Sequence, residues 1–183
     1  MNPIIIAAIV VAALVVIGIA VTVARGRQRE RLQKQFGPEY EHEVEQAKGD
    51  RAKAESALLK REKRVEQFDI RPLPPERRAA FLDQWQEVQL KFVDDPKRSI
   101  AIADALLGEV MKARGYPVED FEQRASDLSV KHPRLVENYR AAHEIALRHA
   151  RGEAGTEDLR SAFIGYRKLF EELLHADERE LTH

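Results

Sequence analysis

Residues 4 to 24 read IIIAAIVVAALVVIGIAVTVA, a run of 21 positions without a charged side chain. At 1.5 Å per residue such a helix extends about 31 Å, close to the ~30 Å of bilayer hydrocarbon. The run therefore predicts a transmembrane anchor over residues 1 to 24. A secretory signal would carry a basic leader and a shorter apolar stretch, whereas only Met1-Asn2-Pro3 precedes this one. Thr22-Val23-Ala24 imitates a small-residue cleavage site, so a cleaved signal is the competing reading.

Arg25, Arg27, Arg29, Arg31 and Lys34 follow the run with only Glu30 against them. Cations flanking a span remain on the cytoplasmic side, which places the C-terminal domain in the cytoplasm and the chain in the plasma (inner) membrane. The same five side chains form a membrane-surface segment, each able to gain about 1 kcal/mol from anionic headgroups.

Beyond this point the chain changes solvent. A third of its residues are charged and the formal net charge is -1. From Asp69 onward 18 lysines and arginines face 22 acids, a net charge of -4, which argues against a nucleic-acid surface there. Cysteine is absent, which removes disulfides, thiolate nucleophiles and zinc-thiolate sites together.

The remaining pattern is helical throughout. A basic juxtamembrane linker covers residues 25 to 38, ending at the Phe36-Gly37-Pro38 break. A stalk helix is expected over 39 to 68, in which Tyr40, Val44, Ala47, Arg51, Ala54, Leu58, Arg61, Val65 and Phe68 alternate in steps of four and three, the spacing of a coiled-coil seam. Two arginines and two alanines make the seam chemically poor, and Gly49 offers a break, so a weak homodimer through the stalk competes with this face folding back on its own chain. Glu55 and Glu62 fall outside the seam and are expected to be exposed. DIRPLPP, residues 69 to 75, reads as a stiff linker and domain boundary.

A helical bundle follows over residues 69 to 175, with a fraying tail at 176 to 183. Five helices are expected. The first places Phe81, Leu82, Trp85, Val88 and Phe92 on one face, and the second starts at Asp95-Pro96 with Ile100, Ala103, Leu107, Val110 and Met111 as its stripe. Gly115 stops the second helix. The third restarts at Pro117 and buries Val118, Phe121, Ala125 and Leu128; the fourth starts at Pro133 with Val136, Tyr139, His143 and Leu147. The fifth is capped by Thr156 and carries Leu159, Phe163, Tyr166, Phe170 and Leu173. The fold class is all-α.

Catalytic signatures are missing: the sequence has no G-x-S-x-G, no phosphate loop and no EF-hand series. HEIALRH, residues 143 to 149, approaches the zinc-protease pattern, but its histidines are six apart and diverge by about 120° around a helix. No catalytic residue, metal site or cofactor is expected. Tyr116, His132, Asn138, Tyr139 and His143 remain as the polar residues suited to a ligand or partner, each with a structural alternative. His132 can cap a helix start, Tyr139 can bond locally through its hydroxyl, and His143 can pack at the core edge.

The strings RGYPVEDFEQRASDLSVKHP and ENYRAAHEIA, with RPLPPE upstream and FEELL downstream, resemble an uncharacterised family of small bacterial proteins with an N-terminal membrane span and a helical domain. Its members are usually labelled hypothetical, membrane or secreted proteins. The resemblance covers most of residues 30 to 175 and implies architecture and bacterial origin, but no residue role; its secreted label runs against the charge-based topology.

Two functions are consistent with these features. One is a membrane-anchored, non-enzymatic adaptor that presents its bundle to a cytoplasmic protein. The other is an enzyme or small-ligand sensor with a pocket near the five polar residues. Convergence of those residues in one pocket would favour the second, and dispersal the first.

Overall fold

The structure is a computed structural model that describes the backbone of residues 3–180 and the side chains of residues 12–175. Among the described residues every regular element is a helix: α1 Pro3–Phe36, α2 Pro38–Gln46, α3 Arg51–Val65, α4 Pro75–Phe92, α5 Pro96–Ala113, α6 Phe121–Ser129, α7 Pro133–Ala150 and α8 Thr156–Glu180. The fold is all-α. Residues 176 to 183, the expected fraying tail, lie outside the described side chains.

Proline opens α2, α4, α5 and α7, where its missing N–H costs nothing and its fixed φ suits the first turn. Carboxylates complete several starts. Asp95 accepts from the Arg98 N–H at 3.0 Å, Asp120 from the Gln123 N–H at 2.9 Å and Asp50 from the Lys53 N–H at 3.0 Å. At the start of α8 the cap is made by Asp158, which accepts from the Gly155 N–H at 2.9 Å, and not by Thr156.

The chain divides into two compact units, Met1–Leu58 and Leu59–His183. In the first, the segment expected as a juxtamembrane linker is helical as far as Phe36. The single stalk helix is replaced by α2 and α3, separated by a turn in which Lys48 and Gly49 both have positive φ. Arg29 Nε donates to Glu55 Oε1 at 2.7 Å, and the Tyr40 hydroxyl donates to the same oxygen at 3.0 Å. A straight helix would hold residues 29 and 55 about 39 Å apart, so the chain folds back on itself. Leu32, Phe36, Tyr40, Ala54 and Leu58 are buried in this unit. Glu55, expected to be exposed, is buried because it receives both donors, and Glu62 is buried as well.

The second unit begins with the last residues of α3, where Arg64 Nε reaches the fully buried Asp127 at 3.1 Å and Arg61 Nη1 donates to Ser129 Oγ at 2.9 Å. Burial pushes the Asp127 carboxyl up, against the opposing pull of its hydrogen bond from Gln123 and of the Arg64 charge. The DIRPLPP segment is extended, yet it is not a boundary. Leu73 is buried in the core, Ile70 packs against it, and the Arg71 N–H donates to the Arg114 carbonyl at 2.8 Å.

Gly115 makes that docking feasible. Its φ is +94°, and a Cβ there would collide with the Asp69 carbonyl oxygen. The RGYP stretch is thus a helix stop against which the linker closes.

In this unit α5 packs on α4 and α8, α7 packs on α6 and α8, and α5 also touches α7. Trp85 of α4 stacks on Phe170 and Phe163 of α8 at 4.5 and 5.2 Å, and Phe92 stacks on Phe163 at 4.5 Å. All five residues of the α5 stripe and all five of the α8 stripe are buried. Leu82, Val118 and Leu147 are exceptions. Val118 lies before Asp120, where α6 begins later than Pro117, and so is not carried on a helix face. Leu147 is 43% exposed because the buried face of α7 runs through Tyr139, Ala142 and Ala146, about 100° around from it.

Two substitutions test this packing. Trp85→Ala removes the middle of the aromatic stack and is expected to lose about 3–5 kcal/mol in denaturant unfolding; an unchanged midpoint would place Trp85 outside the core. Gly115→Ala combines a disfavoured φ with a clash on backbone and is expected to lose about 2–4 kcal/mol. Melting of that variant at the wild-type temperature would mean that the linker does not close on the turn.

Candidate functional site

The five polar candidates do not form one pocket. Tyr116 is buried with its ring edge-on to Phe68 at 6.4 Å. His132, at the N-cap position of α7, makes no capping bond there; its Nδ1 lies 3.7 Å from Glu172 Oε1. Asn138 donates from Nδ2 to the Arg134 carbonyl at 3.2 Å. Its own carbonyl faces Gly165, where a Cβ would approach within 2.9 Å, so this is a point of close α7–α8 contact.

Tyr139 and His143 do come together, one turn apart on α7. The Tyr139 hydroxyl donates to Asp104 Oδ1 at 3.0 Å, and Arg124 Nη2 donates to Asp104 Oδ2 at 3.0 Å. One carboxylate of α5 thereby ties α6 and α7. The His143 ring lies flat on Phe121, with 3.5 Å between centroids and 8° between planes. Phe121 in turn tilts onto Tyr139 at 4.7 Å, and Tyr139 meets Tyr166 of α8 edge-on at 5.7 Å.

Burial governs the protonation states in this cluster. It pushes the Tyr139 hydroxyl far up, with the negative charge of Asp104 acting in the same direction, and raises Tyr166 for the same two reasons. It opposes the charge on Arg124, but Tyr139 and Asp104 outweigh that cost and the guanidinium is held charged. For His143 burial dominates and lowers the pKa from 6.5; Arg124 also lowers it, while Asp104, Glu122 and Glu144 pull the other way. At neutral pH the imidazole is uncharged.

Beside this cluster lies a cleft of about 480 Å³ between α5, α7 and α8. Asp104, His143 and Tyr166 are among its polar lining residues, Ile100, Ala146 and Leu159 among its apolar ones, and Lys97 and Arg98 join the lining from the first turn of α5. Its volume is within the ~300–1,000 Å³ of small-molecule sites. Asp104, Arg124 and Tyr166 were not among the sequence candidates. Asp104 and Arg124 are 20 residues apart, and only the tertiary fold pairs them. Among the described residues no group of three or more His, Asp or Glu side chains is arranged to hold a metal.

The residues expected at the membrane surface divide. Arg25, Arg27 and Lys34 are exposed, Arg31 donates to Gln35 Oε1 at 3.1 Å, and Arg29 is engaged by Glu55. Part of the preceding apolar run, residues 4 to 11, lies outside the described side chains. Among the described residues no helix is long and apolar enough to cross a membrane. Within the part that is described, Leu14, Val15, Val16, Ile17, Ile19, Val21 and Val23 are 42–65% exposed.

No family model, curated protein or solved structure matches the chain.

The histidine provides a pH test. Because its folded pKa lies below its unfolded value, His143 contributes stability that is present above about pH 6.5 and lost as pH falls through the folded pKa. The melting temperature should fall between about pH 7.5 and 5, and His143→Phe, which keeps a ring on Phe121 but cannot charge, should flatten part of that slope. Identical slopes for the two proteins would show that His143 does not titrate against the fold.

Proposed function

We propose that this chain is a single-pass, membrane-anchored adaptor of non-enzymatic type. In this reading residues 4 to 24 cross the bilayer, the basic residues that follow lie at the inner headgroups, and the helical domain binds a cytoplasmic protein. The observation that carries it is the exposure of seven large aliphatic side chains between Leu14 and Val23. Exposed singly, such residues are ordinary, but a run of them on all sides of a helix is an apolar surface in need of cover. Hydrocarbon covers every side of a helix at once, at about 25 cal/mol per Å² removed from water.

The dispersal of Tyr116, His132 and Asn138 away from the Tyr139–His143 pair supports an interaction module over a five-residue active site. A homodimer through the stalk is not part of the proposal: Tyr40, Ala54, Leu58 and Val65 are buried within the single chain, and pairing through them would first have to expose them.

Topology is the decisive measurement. In a bacterial host, a C-terminal alkaline phosphatase fusion is expected to be inactive and a fluorescent-protein fusion bright, with the N-terminal residues retained in the mature protein. Phosphatase activity, or a mature chain beginning near Arg25, would overturn the proposal. Crosslinking and co-purification from native membranes then identify the partner.

A further inference from the structure

We propose that the cleft between α5, α7 and α8 is a binding site for a small amphipathic anion, a carboxylate or phosphate carried on a single apolar chain. Three observations converge on this chemistry. The first is a hydroxyl that opens on the cleft and is not used by the protein. Tyr166 is 1% exposed and lines the cleft, yet its hydroxyl has no hydrogen-bond partner among the described residues.

The second is the state of the charges. Lys97 and Arg98 are exposed and form no ion pair among the described residues. Asp95, which shares that part of the lining, is engaged by the backbone N–H of Arg98. The two cations therefore stand on the lining with no ion pair of their own among the described residues, and Asp95, though still charged, is turned to the backbone of α5. The third is the wall between entrance and floor, where Ile100, Ala146 and Leu159 give an apolar path.

An amine ligand fits less well. The lining holds two acids: Asp104, whose oxygens already accept from Tyr139 and Arg124, so that an ammonium would sit beside the Arg124 guanidinium, and Asp95, which accepts from the Arg98 N–H and stands beside the cations Lys97 and Arg98. A two-chain phospholipid is also too large for about 480 Å³, so the single-chain amphiphile is the source the volume admits. The anion is read at Lys97 and Arg98 and the chain by the apolar wall, with a hydrogen bond from Tyr166 available to whatever polar atom reaches the floor.

The test uses the full chain in zwitterionic nanodiscs, with empty discs as the blank and flotation of the same sample reporting membrane insertion separately. Equilibrium dialysis with radiolabelled octanoate is expected to give saturable binding of about one equivalent. Lys97→Gln with Arg98→Gln should weaken it about tenfold or more, the loss expected for charge-assisted contacts. Octylammonium should not saturate the site, and anionic phospholipid added to the discs should not displace octanoate. Tyr166→Phe separates binding from folding, since its hydroxyl bonds nothing in the protein: the variant should melt as the wild type does while retaining less octanoate. Absent saturation, equal affinity in the double variant, preference for octylammonium or displacement by the phospholipid would each overturn the proposal.

Discussion

Asp104 is the point on which the second unit depends. Its two oxygens accept from Arg124 of α6 and Tyr139 of α7, so one side chain of α5 fixes three helices in register. Removing charges from water is costly, and a half-buried pair of this kind adds little net stability over an apolar replacement. Its value is geometric. The hydrogen bonds admit one arrangement, where aliphatic packing alone would tolerate several, and that arrangement places His143 on Phe121 and Tyr166 at the cleft. Losing either partner would leave a charge or hydroxyl unpaired in the core, a larger penalty than the bond itself contributes.

The first unit uses the same chemistry with different residues. Glu55 accepts from Arg29 and from the Tyr40 hydroxyl on one oxygen, joining α1, α2 and α3. In both units a carboxylate is held between a guanidinium and a phenol. The phenol brings an apolar ring into the core together with its polar tip, so the acid can be covered without being stranded. This suits a chain with many charges and no cysteine, where polar contacts have to be covered by helices instead of stapled by disulfides.

Helix starts and apolar stripes were legible in the sequence because they are local. Proline at N1, Asp95 before it, and spacings of three and four in α5 and α8 need no knowledge of the fold. The polar nodes were not legible, since residues 29 and 55, or 104 and 124, meet only once helices have packed. Gly49 was visible as a weak point in the stalk, but what decides between a flexible hinge and a fold-back is the ion pair across it. DIRPLPP is extended, but its composition suggests a free linker between domains and conceals Leu73, which belongs to the core. Tyr139 and His143 share a stripe at helical spacing, but it is the fold that sets them apart from Tyr116, His132 and Asn138, while Tyr166 was placed on an ordinary core stripe and only its position on the cleft marks it out.

The helical continuity of α1 alters how the basic residues can meet a membrane. On a 100° wheel Arg27, Arg31 and Lys34 fall within an arc of about 60°, whereas Arg29, Leu32 and Phe36 occupy a similar arc on the opposite side. That second arc is the one the protein uses: Leu32 and Phe36 are buried and Arg29 is bonded to Glu55. The cations are therefore not equivalent. In the proposed anchor Arg29 gives its charge to the fold, Arg31 is shared with Gln35, and Arg27 and Lys34 on the same arc are directed at anionic headgroups, at about 1 kcal/mol each. A flexible linker would let all five cations turn toward lipid; a helix assigns them by angle, so that one face holds the unit together and the proposed membrane contact falls to the opposite one.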